Sequence, residues 1–415
     1  MNPIASTRTT VLDVVRDAAD LFHRRGDGHE VDGLEEVSPE VASLLSRELR
    51  TADEWARSPT GEAEEEDEME GGDDYVSHDP VIALVQAALD EHADEHPQEK
   101  HGKGVSLLRL IARVLGKRAE NYVEFRKPES LDGDVFDLPE SCRVALVGDW
   151  GTAKDRARRV ARAIAARRPD HIIHLGDIYP SGTRSRAHKR FIDVWMEEVG
   201  SGPKYWAMNG NHEMNANGEG YFLDVLPWCG QRASFFCLRN EHWKLIAIDS
   251  AYADHDLEPS QFDWLMHQLS NGPDNNILLS HHQMFSAVDR RPRRNAHKLP
   301  ARLQPAVDTG RIFGWFWGHE HRSLYYTRDP RFGNYLARCI GHGGKRVRIT
   351  HNVHLGPEFA PPVAHYWNVP RPDRDDRAMN GFALLTFDGS RLTIEYVDET
   401  GRTCFTEIWP DTPIV

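Results

Sequence analysis

Five apolar segments, each ending in side chains that bind metal ions, constrain the fold of this chain most strongly. They are LVGDWG at 146–151, HLGDIY at 174–179, AMNGNHE at 207–213, LLSHH at 278–282 and WFWGHEH at 315–321. Each apolar run has the length of a buried strand. The carboxyl ends of neighbouring strands in an open α/β sheet meet in one crevice. The sequence therefore predicts that these polar residues converge on a single site.

The order of elements after residue 140 indicates a sheet with parallel strands. An apolar run at 143–148 is followed by an Arg- and Ala-rich helical segment at 155–168 and a second run at 171–175. A strand–helix–strand unit of this size is typical of a parallel pair with a right-handed crossover. Near the end, two alternating segments flank Asp388-Gly389, which predicts a hairpin.

The first 140 residues have a different, helical and acidic character. Ser38-Pro39 and Asp79-Pro80 each place an N-cap residue before a proline at the first helical position. Between these helices, the sequence at 61–74 is GEAEEEDEMEGGDD, whose charge and lack of aromatic residues predict a linker at about 56–78. We therefore expect a helical region over 1–140 and a second domain over 141–415. The helical region is expected to bind a protein partner or to self-associate.

The composition restricts the class of partner and the cellular compartment. Acidic residues outnumber basic residues by 65 to 50, which gives a formal net charge of −15 and argues against a general nucleic-acid binder. The five cysteines form no CxxC pair, and the N-terminus lacks the apolar core of a secretion signal. No apolar run is long enough to span a membrane. The expected location is the cytoplasm, without membrane association.

The chemistry of the predicted site indicates two metal ions. Two carboxylates, one amide and at least three histidines exceed what one ion can bind, and oxygen with imidazole ligands suits Fe, Mn or Zn. Two metals that share a carboxylate can hold the attacking and leaving oxygens of phosphoryl transfer.

In their order, the motifs GDWG, GDxY, GNHE, His-His and GHxH resemble the calcineurin-like metallophosphoesterase superfamily. The GDWG motif is most similar to the purple acid phosphatase-like branch, and the resemblance covers about residues 142–400. It implies a fold of two mixed β-sheets flanked by helices, an α/β sandwich, preceded here by a small N-terminal helical domain. It also implies hydrolysis of phosphate esters by a hydroxide bound to two metals.

The resemblance assigns roles to individual residues. Asp149 and His321 would bind the first metal, Asp177 would bridge both, and the second metal would be bound by Asn211, His281 and His319. The histidine of GNHE, His212, would stabilise or protonate the leaving group. Asp177 and His212 are thus the expected catalytic residues.

One ligand departs from the wider superfamily pattern. The histidine of its Asp-x-His motif is replaced by Gly151, and the purple branch fills this gap with the tyrosine of Gly-Asp-x-x-Tyr. Here the tyrosine is Tyr179, one residue closer to Asp177. With Tyr179 as a ligand, an Fe(III)–M(II) pair is expected; without it, two divalent ions are expected.

Neighbouring residues are candidates for substrate binding. His282 follows the expected ligand His281, and Arg290 and Arg291 begin a basic segment directly afterwards. Guanidinium groups bind phosphate through paired hydrogen bonds. The substrate is expected to be a phosphorylated small molecule or a nucleotide. A phosphomonoesterase is favoured, while a phosphodiesterase acting on nucleotides or nucleic acid and a regulatory module with a degenerate metal site stay open.

Overall fold

The computed structural model describes residues 3–29, 38–56, 79–95, 122–287, 298–345, 347–348, 360–366, 370–371 and 374–410. Arg290, Arg291, nearly all of the predicted acidic linker and the segment at 96–121 lie outside these ranges. Within them, contacts between residues divide the chain into two compact units. The first comprises Met1–Val123, Tyr179–Arg186 and His212–Glu219; the second comprises Glu124–Ile178, Ala187–Asn211 and Gly220–Val415. The predicted domain boundary near residue 140 stays a prediction.

The first unit contains three helices around an apolar core. They are α1 (Pro3–Gly26), α2 (Pro39–Ala56) and α3 (Pro80–Glu95). Asp79 begins α3 as a cap, because its Oδ1 accepts hydrogen bonds from the amides of Val81 and Ile82 at 2.9 and 3.0 Å. The buried core includes Val15 and Phe22 of α1, Leu45 and Leu49 of α2 and Ile82 and Val85 of α3.

The second unit is an α/β sandwich with two mixed sheets. The six-stranded sheet has the order β17-β16-β15-β2-β3-β4, and the eight-stranded sheet has the order β1-β5-β6-β7-β8-β10-β9-β12. The strands of the first sheet are β2 (Ser141–Val147), β3 (His171–His174), β4 (Lys204–Ala207), β15 (Gly381–Asp388), β16 (Arg391–Asp398) and β17 (Thr403–Trp409). Those of the second are β1 (Val135–Asp137), β5 (Phe236–Arg239), β6 (Trp243–Ala247), β7 (Asn275–Ser280), β8 (Ile312–Trp317), β9 (Ser323–Tyr326), β10 (Leu336–Ile340) and β12 (Val363–Tyr366).

Parallel pairing dominates the centres of both sheets. Strands β2, β3 and β4 are mutually parallel, as are β6, β7, β8 and β10. A small third sheet joins β11 (Val347–Arg348), β14 (Arg374–Ala378) and β13 (Pro370–Arg371). The strands predicted at 143–148 and 171–175 are present, as are strands leading into the motif segments at 207–213, 278–282 and 315–321, and β15 and β16 form the predicted hairpin at Asp388-Gly389.

One apolar core lies between the two large sheets, and a second lies under helices on the outer face. Leu146 and Ile173 of the six-stranded sheet pack with Leu245, Ile277 and Phe316 of the eight-stranded sheet. The helices of this unit are α4 (Asp155–Ala166), α6 (Asp193–Glu198), α8 (Leu226–Cys229), α9 (Pro259–Ser270) and α10 (Lys298–Asp308). Most residues of the short helices α5 (Arg184–Ala187) and α7 (Asn211–Met214) belong to the first unit. Short π-helical turns lie at His188–Ile192 and Tyr221–Val225, and a 3₁₀ turn lies at Pro330–Phe332.

Candidate metal centre

The candidate metal ligands follow strands at the carboxyl ends of both large sheets. Asp149 follows β2 and Asp177 follows β3. Asn211 begins α7 after β4, His281 follows β7, and His319 and His321 follow β8. Of these six residues, four have a left-handed backbone: Asp149 (φ 55°), Asp177 (φ 81°), His319 (φ 67°) and His321 (φ 46°). Such conformations are costly for residues other than glycine and concentrate at functional sites, where packing imposes them.

Three candidate ligand atoms converge on the Nε2 atom of His281. Its Nε2 lies 3.0 Å from Asn211 Oδ1, 3.2 Å from His319 Nδ1 and 3.3 Å from Asp177 Oδ1. The other ring nitrogen, Nδ1, lies 2.9 Å from the carbonyl oxygen of Leu175, which can only accept a hydrogen bond. Nδ1 therefore carries the proton, and the lone pair of Nε2 faces the cluster. A buried group of lone pairs from oxygen and nitrogen suits a cation.

A second group of ligand atoms shares Asp177 with the first. Asp149, Asp177 and His321 offer atoms within 4.8 Å of one another, as do Asp177, His281 and His319. Asp149 Oδ1 lies 3.5 Å from His321 Nε2, while its Oδ2 accepts the amide hydrogen of His319 at 2.7 Å. Asp149 and Asp177 are fully buried, and His321 is half-buried. One carboxylate between two ligand groups is the arrangement that a bridged pair of ions requires.

Glycines allow the backbone to approach these ligands closely. Gly176 has φ +105°, and a Cβ atom there would lie 2.6 Å from His281 Nδ1. A Cβ on Gly318 would lie 2.8 Å from Asp149 Oδ2. The glycines of the GD and GH motifs are thus required by contact with the ligand side chains themselves.

Tyr179 and His212 lie together in the first unit. Their ring centroids are 4.5 Å apart, and both side chains are buried. The Nδ1 atom of His212 lies 2.6 Å from the carbonyl oxygen of Pro180, so Nδ1 carries a proton. Tyr179 as a metal ligand and His212 as a catalytic residue stay predictions.

Two carboxylates, those of Glu320 and Asp249, hold loops at and beside the candidate ligands. Glu320, the middle residue of GHEH, accepts hydrogen bonds from Trp317 Nε1 at 2.8 Å and from Ser286 Oγ at 2.6 Å. This links the loop after His281 to the loop of His319. After β6, the buried carboxylate of Asp249 accepts hydrogen bonds from the amides of Ala251 and Tyr252 at 2.9 Å each. Burial raises the pKa of Asp249.

The structure also brings to the site one residue, His255, that the sequence analysis did not single out. His255 lies in the loop after β6 and forms a group with His282 and His319, in which one ring nitrogen from each residue lies within 4.8 Å of the other two. His282 is buried, and its Nδ1 lies 3.1 Å from the carbonyl oxygen of Ser250. In the sequence, His255 could have been recognised as a candidate site residue only from the polar sequence Asp-His-Asp that follows an apolar strand by a few residues. Arg290 and Arg291 stay predictions, because they lie outside the described residues.

The fold and site together define a class of metal-dependent phosphoesterases. Residues 142–323 match the family model of the calcineurin-like phosphoesterases. This match assigns residues 142–323 to the calcineurin-like phosphoesterases, and the relatives described below, which are similar over most of the same region, support the purple acid phosphatase-like branch and a phosphoric ester hydrolase.

Similar proteins include mammalian acid phosphatases. Tartrate-resistant acid phosphatase type 5 of Homo sapiens is 22% identical over 316 residues, which cover 63% of this chain and 89% of the human protein. The Sus scrofa protein of the same name is 21% identical over 317 residues, with 63% and 85% covered. Among solved structures, the purple acid phosphatase PPD1 of yellow lupin superposes with a TM-score of 0.50 at 17% identity. That match covers 65% of this chain and 54% of the lupin chain, so this chain spans about half of the lupin enzyme and the likeness supports the fold.

Within the residues that the structure describes, we find no helix both long and apolar enough to cross a membrane.

Proposed function

We propose that the chain is a phosphomonoesterase whose two metal ions are bound by Asp149, Asp177, Asn211, His281, His319 and His321. The observation that carries this proposal is the pair of ligand groups that share Asp177. When bound, two such ions supply an activated water nucleophile and neutralise charge on the phosphoryl oxygens. The names of the similar proteins, which are acid phosphatases, support a preference for monoesters over diesters.

The chain's own residues would orient the ligands and handle the leaving group. The hydrogen bond from His281 to Leu175 fixes the ring so that the lone pair of Nε2 is directed at the other candidate ligands, where it would hold a metal ion. In His212, the bond from Nδ1 to Pro180 fixes the ring and makes Nε2 the nitrogen that can pass a proton to the leaving oxygen. Arg290, Arg291 and His282 are proposed contacts of the phosphoryl group.

We also propose a cytoplasmic location for the protein. All five cysteines are free thiols, as is usual in a reducing compartment.

The reaction is tested by comparing two esters. Protein reconstituted with Fe, Mn or Zn is assayed with para-nitrophenyl phosphate and with its bis-ester. We expect kcat/KM to be higher for the monoester by about tenfold or more, which corresponds to about 1.4 kcal/mol of additional transition-state stabilisation. A higher kcat/KM for the bis-ester would contradict the monoesterase and favour a phosphodiesterase.

Tyr179 is proposed as a ligand that selects ferric iron for the first metal position. A phenolate bound to Fe(III) gives a coloured complex, whereas a site without phenolate does not. Iron-loaded wild-type protein is therefore expected to absorb visible light, and Tyr179→Phe is expected to lose this absorption while keeping its iron. Tyr221→Phe is the matched control, since Tyr221 is also fully buried, with its hydroxyl bonded to the Ala207 carbonyl oxygen at 2.9 Å. An unchanged spectrum in Tyr179→Phe would exclude Tyr179 as a ligand.

A further inference from the structure

Beside the proposed dinuclear centre lies a second cluster of histidines, formed by His255, His282 and His319. The ring centroids of His255 and His282 are 3.7 Å apart, those of His282 and His319 are 4.6 Å apart, and those of His255 and His319 are 5.7 Å apart. The Nε2 atom of His255 is buried and has no hydrogen-bond partner among the described residues. A buried polar atom of this kind in a native structure requires an explanation.

His255 and His282 each have a hydrogen-bond acceptor next to Nδ1, as histidines that bind metals through Nε2 usually do. The Nδ1 atom of His255 lies 2.9 Å from the carboxylate oxygen Oδ1 of Asp254, and that of His282 lies 3.1 Å from the carbonyl oxygen of Ser250 and 3.1 Å from the Ser250 hydroxyl. The carboxylate and the carbonyl can only accept, so Nδ1 of each ring carries a proton and Nε2 of the neutral ring presents a lone pair. A carboxylate or carbonyl behind the ring is the usual support of a histidine bound to zinc. His281, a proposed ligand of the dinuclear centre, is bonded in the same way.

The loop that presents His255 is held in a costly conformation. Asp254 and His255 have φ values of 50° and 61°, two successive left-handed residues of which neither is glycine. On one side, Asp249 caps the start of the loop through the amides of Ala251 and Tyr252. On the other, Asp256 accepts hydrogen bonds from Arg302 of α10 at 2.9 and 3.4 Å. The surroundings thus impose the position of His255 at the histidine cluster.

We propose that His255 and His282 form an auxiliary cation site next to the dinuclear centre, suited to a borderline ion such as Zn²⁺. His319 stays with the dinuclear centre, so the auxiliary ion has two protein ligands and keeps its other positions for water or a phosphoryl oxygen. With only two protein ligands, it binds more weakly than the two ions held by three or four ligands each. The site accordingly fills only when free Zn²⁺ is in excess.

The ring of His255 is the part of this site that moves when an ion enters. Two imidazoles on one tetrahedral Zn²⁺, with Zn–N bonds of about 2.0 Å, have ring centroids roughly 5 Å apart. The present separation of 3.7 Å is shorter, so one ring shifts outward by about 1 Å on binding. The side chain of His255 is 14% exposed and lies on a loop, whereas His282 is buried at the end of a central strand. His255 is therefore the ring with room to shift.

Equilibrium dialysis of the protein already loaded with its two tight ions tests this site. The loaded full-length chain is dialysed against increasing free Zn²⁺, and bound zinc is measured by elemental analysis. We expect a third, weaker equivalent in the wild type and its loss in His255→Asn, with the two tight equivalents retained. Asparagine tolerates the left-handed backbone at this position. His267→Asn is the control, since His267 also bonds to an aspartate, Asp132, at 2.9 Å but lies on the surface of α9.

Far-UV circular dichroism and a thermal melt show whether His255→Asn folds. If it does not, a second variant tests the same site. Asp254→Asn keeps a residue that tolerates φ 50° but removes the charge behind His255, and is expected to weaken the third equivalent about 10- to 100-fold. The proposal is overturned if the wild type binds only two equivalents, or if the third equivalent persists unchanged in both variants. An absence of the two tight equivalents would instead overturn the dinuclear centre, so the two failures are distinguishable.

Discussion

Asp177→Asn is expected to abolish hydrolysis of para-nitrophenyl phosphate and to reduce the bound metal from two ions per chain to one or fewer. Asp177 is the only residue shared by the two groups of dinuclear ligands, so its charge would hold both ions. Asparagine keeps the volume but removes the negative charge and one ligand oxygen. Loss of several kcal/mol of charge stabilisation corresponds to a fall in kcat/KM of about 10³-fold or more.

Metal content by elemental analysis and kcat/KM are measured on the same preparations of wild type, Asp177→Asn and the control Asp263→Asn. Asp263 lies exposed on α9, and its replacement by asparagine is expected to change neither quantity. Full activity in Asp177→Asn with two bound ions would contradict the bridging role. Loss of activity with both ions retained would instead assign Asp177 a role other than metal binding.

The candidate ligands of the proposed dinuclear site could be picked out from the sequence because they have a fixed relation to secondary structure. Each follows a strand that is buried along nearly its whole length, as β3 and β7 illustrate, and such strands appear in the sequence as continuous apolar runs. The polar residue that interrupts the run then marks both the end of the strand and the candidate ligand. His255 lies eight residues beyond the end of β6, where only the turns of the loop bring it back to the cluster. Its position follows from contacts distant in sequence, such as Asp256 with Arg302, which periodicity does not reveal.

The central strands of the fold were predictable for the same reason, whereas the edge strands were not. β17 pairs with β16 at the edge of the six-stranded sheet, and its side chains range from half-buried to exposed. Its sequence, TCFTEIW, therefore lacks a clear apolar run. β9 is not an edge strand, since it lies between β10 and β12, but it has only four residues and begins two residues after the GHEH motif, so its apolar run is too short to be distinguished from the site loop. Helices α2 and α3 were recognisable from Ser38-Pro39 and Asp79-Pro80, because capping is determined by neighbours in sequence.

Glu407→Gln is expected to destabilise the sandwich by about 3 kcal/mol. Glu407 of β17 receives two hydrogen bonds from Arg338 of β10, at 2.9 and 2.6 Å, and the pair joins the six-stranded sheet to the eight-stranded sheet. The two side chains are only 6% and 9% exposed. The hydroxyl of Tyr396 also donates to Glu407 at 2.6 Å, and burial raises the pKa of Tyr396 well above its usual value. Glutamine lacks the negative charge of the Glu407 carboxylate, so the buried positive charge of the Arg338 guanidinium is left without a counter-charge.

Urea denaturation followed by tryptophan fluorescence measures the effect as a lower free energy of unfolding. Glu197→Gln is the matched control, because Glu197 pairs with Arg158 at 2.7 Å but is 64% exposed. A solvent-exposed pair contributes about 1 kcal/mol or less, so this variant is expected to unfold close to the wild type. Equal effects of the two substitutions would show that the pair between the sheets is as well hydrated as the surface pair. The large loss expected for Glu407→Gln depends on the exclusion of water from between the sheets, since the same charges in water would attract each other only weakly.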